Sequence, residues 1–228
     1  DGTLVNSTGI TDRIQDKIMK RFGIEISPER RRELEKMAEA MFTEDYSTRL
    51  AIKIMWRLMK EVGMSFFQRL KALLLGGKMY LKEVEKLELY EGVEEFIELL
   101  ESDDRFEYVI VTNSGDKAVK RHLKNHLDFF EKLKGEDRLI TKDSVENMKP
   151  HPESFHMASE RLGVPFERIC VVGDTKYDIQ FGKAHESLTI GVLTGIYTEE
   201  LLSEHEPDLI FDSVAEIPNN MEKILSLI

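Results

Sequence analysis

The chain has 228 residues, enough to bury one good core or a core with a small second domain. Its formal charge of −11 makes a surface that repels nucleic acid and anionic membranes, and no long Lys/Arg tract offsets it. With 41% hydrophobic and 33% charged residues, and no apolar run near the roughly 20 residues of a membrane span, composition excludes a membrane protein and points to a soluble globular one.

Residues 9 to about 88 predict helices almost throughout. "TGITDRIQDKIMKRFG" sets Ile10, Ile14, Ile18 and Phe22 four apart, with Gly23 as a stop. "SPERRRELEKMAEAMF" opens with Ser27 as N-cap and Pro28 at the first helical position. "DYSTRLAIKIMWRLMKEVG" repeats the four-residue spacing at Leu50, Ile54, Leu58 and Val62 and ends at Gly63. "SFFQRLKALLLGG" reads as a short helix closed by its glycines, and "KMYLKEVEKLE" as a separate last one. The Met, Trp and Phe residues on these stripes read as bundle core.

From about residue 89 the texture changes. "EYVIVTNS", "RLIT", "RICVVGD", "LTIGVLTG" and "PDLIFDS" are short apolar runs that end in small or polar residues. Between them lie "GVEEFIELLES", "GDKAVKRHLKNH", "HPESFHMASERLG", "TKYDIQFGKAHE" and "TEELLSEH", all helical in pattern. This alternation predicts an α/β fold, a Rossmann-like parallel sheet sandwiched by helices, with the first helical block inserted as an all-helical cap. The expected domains are a core of 1–8 and 89–228 and a cap of 9–88. Cys170, the single cysteine, permits no intrachain disulfide; in "RICVVGD" it reads as a small strand hydrophobe, and a reducing cytoplasm fits it.

In such sheets the chemistry collects beyond the carboxyl ends of the strands. Those ends read Thr112-Asn113-Ser114 and Gly173-Asp174-Thr175, with Lys149 just ahead of a helix. An acidic chain that handles an anion needs positive charge supplied locally, by a metal ion and one or two placed lysines. Four elements stand in order: "DGTLVNS" at 1–7, "VIVTNS" at 109–114, "KPHPESF" at 149–155 and "GDTKYD" at 173–178. Each alone is weak; together, at strand and helix edges, they are specific.

The set resembles the haloacid dehalogenase superfamily, in its phosphatase branch with a helical cap inserted after the first motif. That motif is Asp-x-Asp-Gly-Thr, a nucleophilic Asp followed two positions later by a general acid/base. The resemblance therefore implies that Asp1 is the acid/base and that the nucleophile precedes it by two residues. Asp1 would protonate the leaving oxygen, then deprotonate the water that hydrolyses an aspartyl-phosphate. Thr112 would donate to a phosphoryl oxygen, and Asn113 and Ser114 would assist substrate binding. Lys149 would hold a point charge against the phosphoryl group. The implied cofactor is Mg²⁺, a hard cation that takes oxygen ligands. Its residues would be Asp174, the upstream Asp and the backbone carbonyl of Asp1, with Asp178 orienting Lys149 or a metal-bound water. His122, His126, His156, His185 and His205 show no metal-ligand spacing, and "KRHLKNH" reads as a solvated basic helix face.

The implied function is hydrolysis of a small phosphomonoester, phosphoglycolate phosphatase-like, by a cytoplasmic monomer or homodimer without nucleic-acid or membrane partners. Transfer of the β-phosphoglucomutase type, pyrophosphate hydrolysis and non-catalytic phosphate binding stay open. Dehalogenation has no use for Asp1, since no leaving oxygen needs a proton. A phosphorylated receiver domain carries its Asp mid-chain, without some 80 helical residues after "DGT". Substrate choice is expected from the cap, where Arg49, Lys53, Arg57, Lys71 and Lys78 are candidates to meet a second anionic group.

Overall fold

The computed structural model describes residues 1–41 and 48–227, with the side chains at 35, 38–40, 48, 49 and 51 outside that description. Arg49 is thereby outside it. The chain divides into two compact units, Gly9–Glu83, and Asp1–Thr8 with Val84–Ile228. The second junction falls after Glu83, ahead of the position expected at residue 88. Val84 and Leu87 are already 1% and 4% exposed, and Leu89 bridges antiparallel to Val5.

The helical unit contains α1 (Ile10–Phe22), α2 (Pro28–Met41), α3 (Thr48–Glu61) and the start and body of α4 (Phe66–Val84). Ile10, Ile14 and Ile18 are buried, as a four-residue apolar spacing requires of one helix face. Gly23 ends α1 in the left-handed region, and the Ile24 N–H donates back to the Met19 carbonyl (3.0 Å). Ser27 Oγ accepts from the Arg30 N–H (3.2 Å), the cap its position predicts.

Two expectations fail here. Gly76 and Gly77 do not close a helix; α4 runs through both. A Cβ on Gly76 would lie 3.0 Å from Ile18 Cδ1 and 3.8 Å from Ile14 Cγ2, so the missing side chain lets α4 press onto the buried stripe of α1. Packing there outweighs a helical cost of about 1 kcal/mol for the glycine. Nor are all the aromatics bundle core: Phe67 is 80% exposed and Phe66 56%, although Phe66 stacks edge-on against Trp56.

The α/β unit runs α5 (Val93–Ser102), β1 (Ile110–Val111), α6 (Asp116–His122), α7 (Leu127–Gly135), β2 (Leu139–Ile140), α8 (Glu153–Leu162), β3 (Cys170–Gly173), α9 (Lys176–Lys183), β4 (Leu188–Val192), α10 (Glu199–Ser203), β5 (Leu209–Phe211) and α11 (Met221–Leu225). Every one of these strand pairings is parallel. The strands form two ladders, β1-β2 and β3-β4-β5, and no pairing joins them among the described residues. The central strand β4 is buried from end to end, which explains its unbroken "LTIGV" where a half-exposed strand would alternate. Helices α7 and α11 were not anticipated. The predicted helix "GDKAVKRHLKNH" ends at His126, and beyond it Phe130 and Leu133, three apart, are the buried face of α7.

Packing fixes the start of α8. Phe155 is 1% exposed and sits with Ile169 and Phe181. Its ring lies 5.0 Å from that of Phe181 and stacks on His185 at 4.0 Å. The last residue of "KPHPESF" is thus a core anchor that holds the segment beginning at Lys149. Cys170 stands in β3; burial, and then Asp208, push its thiol up to about 12, so it stays protonated at neutral pH.

Candidate active site

Asp174 follows β3 directly and is 7% exposed. Backbone crowds it on two sides: a Cβ on Gly2 would fall 2.2 Å from its Oδ2, and a Cβ on Gly195 2.0 Å from the same oxygen. Only glycine fits at either place, and Gly2 also has φ +74. Thr3 Oγ1 donates to Asp174 Oδ1 (2.7 Å), while Oδ2 receives no hydrogen bond among the described residues. Burial, and then the Asp178 charge, raise the Asp174 carboxyl above its ordinary range, against the opposing effects of Thr3 and Lys149. The Gly195 segment is held by Thr194, whose Oγ1 donates to the Gly2 carbonyl (2.6 Å). The Tyr90 hydroxyl donates to the Thr194 carbonyl (2.7 Å), as does Thr8 Oγ1 (2.8 Å). Gly195→Ala is therefore expected to displace the Asp174 carboxylate and lower turnover by about 10²-fold, the usual result of an ångström-scale misplacement. Steady-state kinetics checks it at a temperature where a thermal melt shows the variant folded, since overpacking a buried position costs about 1–3 kcal/mol.

Lys149 and Asp178 form a buried ion pair, Nζ to Oδ1 at 2.7 Å, with side chains 15% and 10% exposed. Thr175 takes the other oxygen, its Oγ1 (2.7 Å) and N–H (3.1 Å) both donating to Oδ2. This is the capping box of α9, and "T-K-Y-D" is its signature. Burial opposes the Asp178 charge, but the Lys149 ammonium and the Thr175 donors overcome it and hold the carboxyl below its usual range. Both oxygens are engaged, so the geometry makes Asp178 a brace for Lys149. The Lys149 backbone is held as firmly: its carbonyl accepts from Asn113 Nδ2 and its N–H donates to Asn113 Oδ1, both at 3.0 Å.

The Asp1 carboxylate turns to the loop after β1 and to α6. Ser114 Oγ donates to Oδ2 (3.0 Å), and His122 Nδ1 lies 2.7 Å from Oδ1. Thr112 Oγ1 accepts from the Ser114 N–H (3.1 Å), shaping the same loop. Segments from residues 1–3, 112–114, 149 and 174–178 thus meet in one place. The solvated histidine face does not exist: His122 is 8% exposed and bound to Asp1, and His126 Nε2 meets Glu88 at 2.9 Å. Lys53, Arg57, Lys71 and Lys78 are exposed, and Arg57 pairs with Glu61 on its own helix (3.1 Å).

Thr3, Thr194, Gly195 and His122 escaped the sequence reading. Thr3 and Gly195 lay inside quoted motifs, "DGTLVNS" and "LTIGVLTG…", but only the fold shows that both belong to Asp174.

The chemistry of the donor set fits a hard divalent cation. Asp174 offers an oxygen free of hydrogen bonds beside backbone, and no group of three or more His, Cys, Asp or Glu side chains converges among the described residues. A cation that keeps several waters needs few protein oxygens. No helix among the described residues is long and apolar enough to cross a membrane.

The parallel strands thus have a carboxylate, an ammonium and a hydroxyl-bearing loop gathered at one edge, the place where open α/β sheets bind their ligands. The chain belongs to the haloacid dehalogenase-like hydrolase family, whose model matches residues 1–186. Pyrophosphatase PpaX of Listeria welshimeri is 34% identical over 129 residues, 56% of this chain and 57% of that one. A phosphoglycolate phosphatase of Salmonella typhi is 38% identical over 79 residues, 35% of this chain and 31% of that one. The match spans 57% of the length of the first of these relatives and 31% of the second. Among solved structures, a family hydrolase of Deinococcus radiodurans with bound phosphate and sodium has a TM-score of 0.75 at 19% identity, covering 100% of this chain and 94% of that one. A family hydrolase of Entamoeba histolytica has a TM-score of 0.69 at 21% identity, covering 100% and 95%. At these identities the likeness is one of fold.

Proposed function

We propose that this protein is a Mg²⁺-dependent phosphatase of small phosphomonoesters, working through an aspartyl-phosphate. The convergence of Asp1, Asp174 and the Lys149–Asp178 pair with the 112–114 loop carries the reading. Phosphoryl transfer asks for an in-line nucleophile, neutralised equatorial oxygens and a proton for the leaving group. The nucleophile is the Asp that the family motif puts two positions ahead of Asp1. Asp1 gives the leaving oxygen its proton and later takes one from water. Lys149, braced by Asp178 and pinned by Asn113, presents fixed positive charge to the phosphoryl group. Thr112 and Ser114 supply hydroxyls from the same loop. Asp174 and the Asp1 carbonyl would hold Mg²⁺, which when bound neutralises charge on the phosphoryl oxygens.

The names of the relatives support phosphoglycolate and pyrophosphate as first candidates. The test is a screen of the complete natural chain against phosphoglycolate, pyrophosphate, sugar phosphates and p-nitrophenyl phosphate, with and without Mg²⁺. Phosphate release that requires Mg²⁺ and saturates with one small ester is the expected result. Isomerised sugar phosphate in place of released phosphate would move the assignment to a mutase, and binding without turnover to a non-catalytic module.

A further inference from the structure

The motif residues leave one buried group at the site unused. His122 is the last residue of α6, outside the four motifs, yet it is 8% exposed and its Nδ1 lies 2.7 Å from Asp1 Oδ1. Ser114 Oγ meets the other oxygen at 3.0 Å. Each oxygen of one carboxylate therefore has its own partner, from two different segments, which fixes the plane of the group as well as its place. An ionised carboxylate only accepts, so toward ionised Asp1 the His122 Nδ1 carries the hydrogen.

We propose that His122 is a positioning residue for Asp1, its Nδ1–H and the Ser114 hydroxyl together setting the orientation from which Asp1 exchanges its proton with the leaving oxygen. The inference rests on the reading of Asp1 as the acid/base. It follows that losing the Nδ1 donor harms the step that needs a placed proton, and spares a substrate whose leaving group departs as an anion unaided.

The experiment compares an alkyl phosphate, whose alkoxide must be protonated, with p-nitrophenyl phosphate, whose phenolate need not be. In the complete chain, Asp1→Asn should lower kcat/KM, which covers the steps up to release of the leaving group, by about 10²–10⁴ for the alkyl ester and much less for the nitrophenyl ester. His122→Leu and His122→Gln should show the same selectivity more weakly, about tenfold or more in kcat/KM for the alkyl ester. His122→Asn, whose Nδ2 takes the place of Nδ1, should recover to within about threefold of the natural protein. Gln and Asn differ little in polarity, so their contrast isolates the donor even if leucine disturbs folding. Asp1→Asn selectivity with none in either Leu or Gln overturns the role of His122 alone. An equal fall in kcat/KM for both esters in Asp1→Asn overturns the acid/base reading, and the proposal with it. Rescue by Gln as good as by Asn assigns the ring to packing and also overturns it.

Discussion

Replacing Asp174 with Asn is expected to cut kcat/KM by about 10³-fold or more at saturating Mg²⁺, the loss that follows when a phosphoryl-transfer site can no longer hold its metal. The same change should leave the metal-free protein as stable as before or more so. Burial raises the Asp174 carboxyl, and a raised carboxyl is one whose ionised form the fold disfavours. At neutral pH its charge therefore opposes folding, and a neutral isostere removes that opposition. Asn fits between Gly2 and Gly195 because it has the shape of the carboxylate, and Thr3 Oγ1 still finds an acceptor at the amide oxygen. The sign reverses with Mg²⁺: the natural protein should melt higher as Mg²⁺ is added, by linkage, and Asp174→Asn should not. Calorimetry with and without Mg²⁺, beside steady-state kinetics, measures both halves. An Asn variant with unaltered Mg²⁺-dependent turnover removes Asp174 from the site. A variant that unfolds in the absence of metal makes the residue structural.

The five strands were legible because each is an apolar run bounded by polar residues, and a parallel strand buried on both faces needs nothing subtler. Their polar ends were legible for a related reason: Asp174 and Thr112 interrupt apolar sequence where a strand has no use for them. The Asp178 brace was written in the capping spacing of "TKYD". What escaped depended on distance in the chain. No local pattern says that residue 195 passes beside residue 174, or that Gly76 gives way to Ile18. His122 was lost for a different reason. Its neighbours in "KRHLKNH" are cationic, and charge in sequence suggested charge in space, but the helix turns Val119 and His122 inward while Lys120 and Arg121 face out. One period of the helix separates the two readings, and only the partner, Asp1, decides between them.

Lys149→Met tests whether the ammonium serves the fold, the chemistry or both. Removing one partner of a buried ion pair strands the other, at a cost of about 3–5 kcal/mol. In a chain of this size that is a fall of about 6–20 °C in melting temperature. The double variant Lys149→Met, Asp178→Asn should recover much of that stability, because no charge is left buried, while Thr175 still caps α9 on the amide oxygen. It should recover none of the activity, because the phosphoryl group has lost its fixed cation; a loss of at least about 10²-fold is expected in both variants. Acid titration separates the two states further. In the natural protein the Asp178 carboxyl is held low, so its contribution to stability is complete above the ordinary carboxylate pKa and is lost as pH falls through the depressed one. In Lys149→Met the same buried carboxyl has lost the charge that depressed it, and burial then raises it. Its penalty is present above that raised pKa and fades as pH falls through it. The stability difference between Lys149→Met and the natural protein should therefore shrink on acidification. A difference that is flat or grows toward low pH would mean that the two side chains are not paired in solution, and that Lys149 reaches the phosphoryl pocket without the support of Asp178.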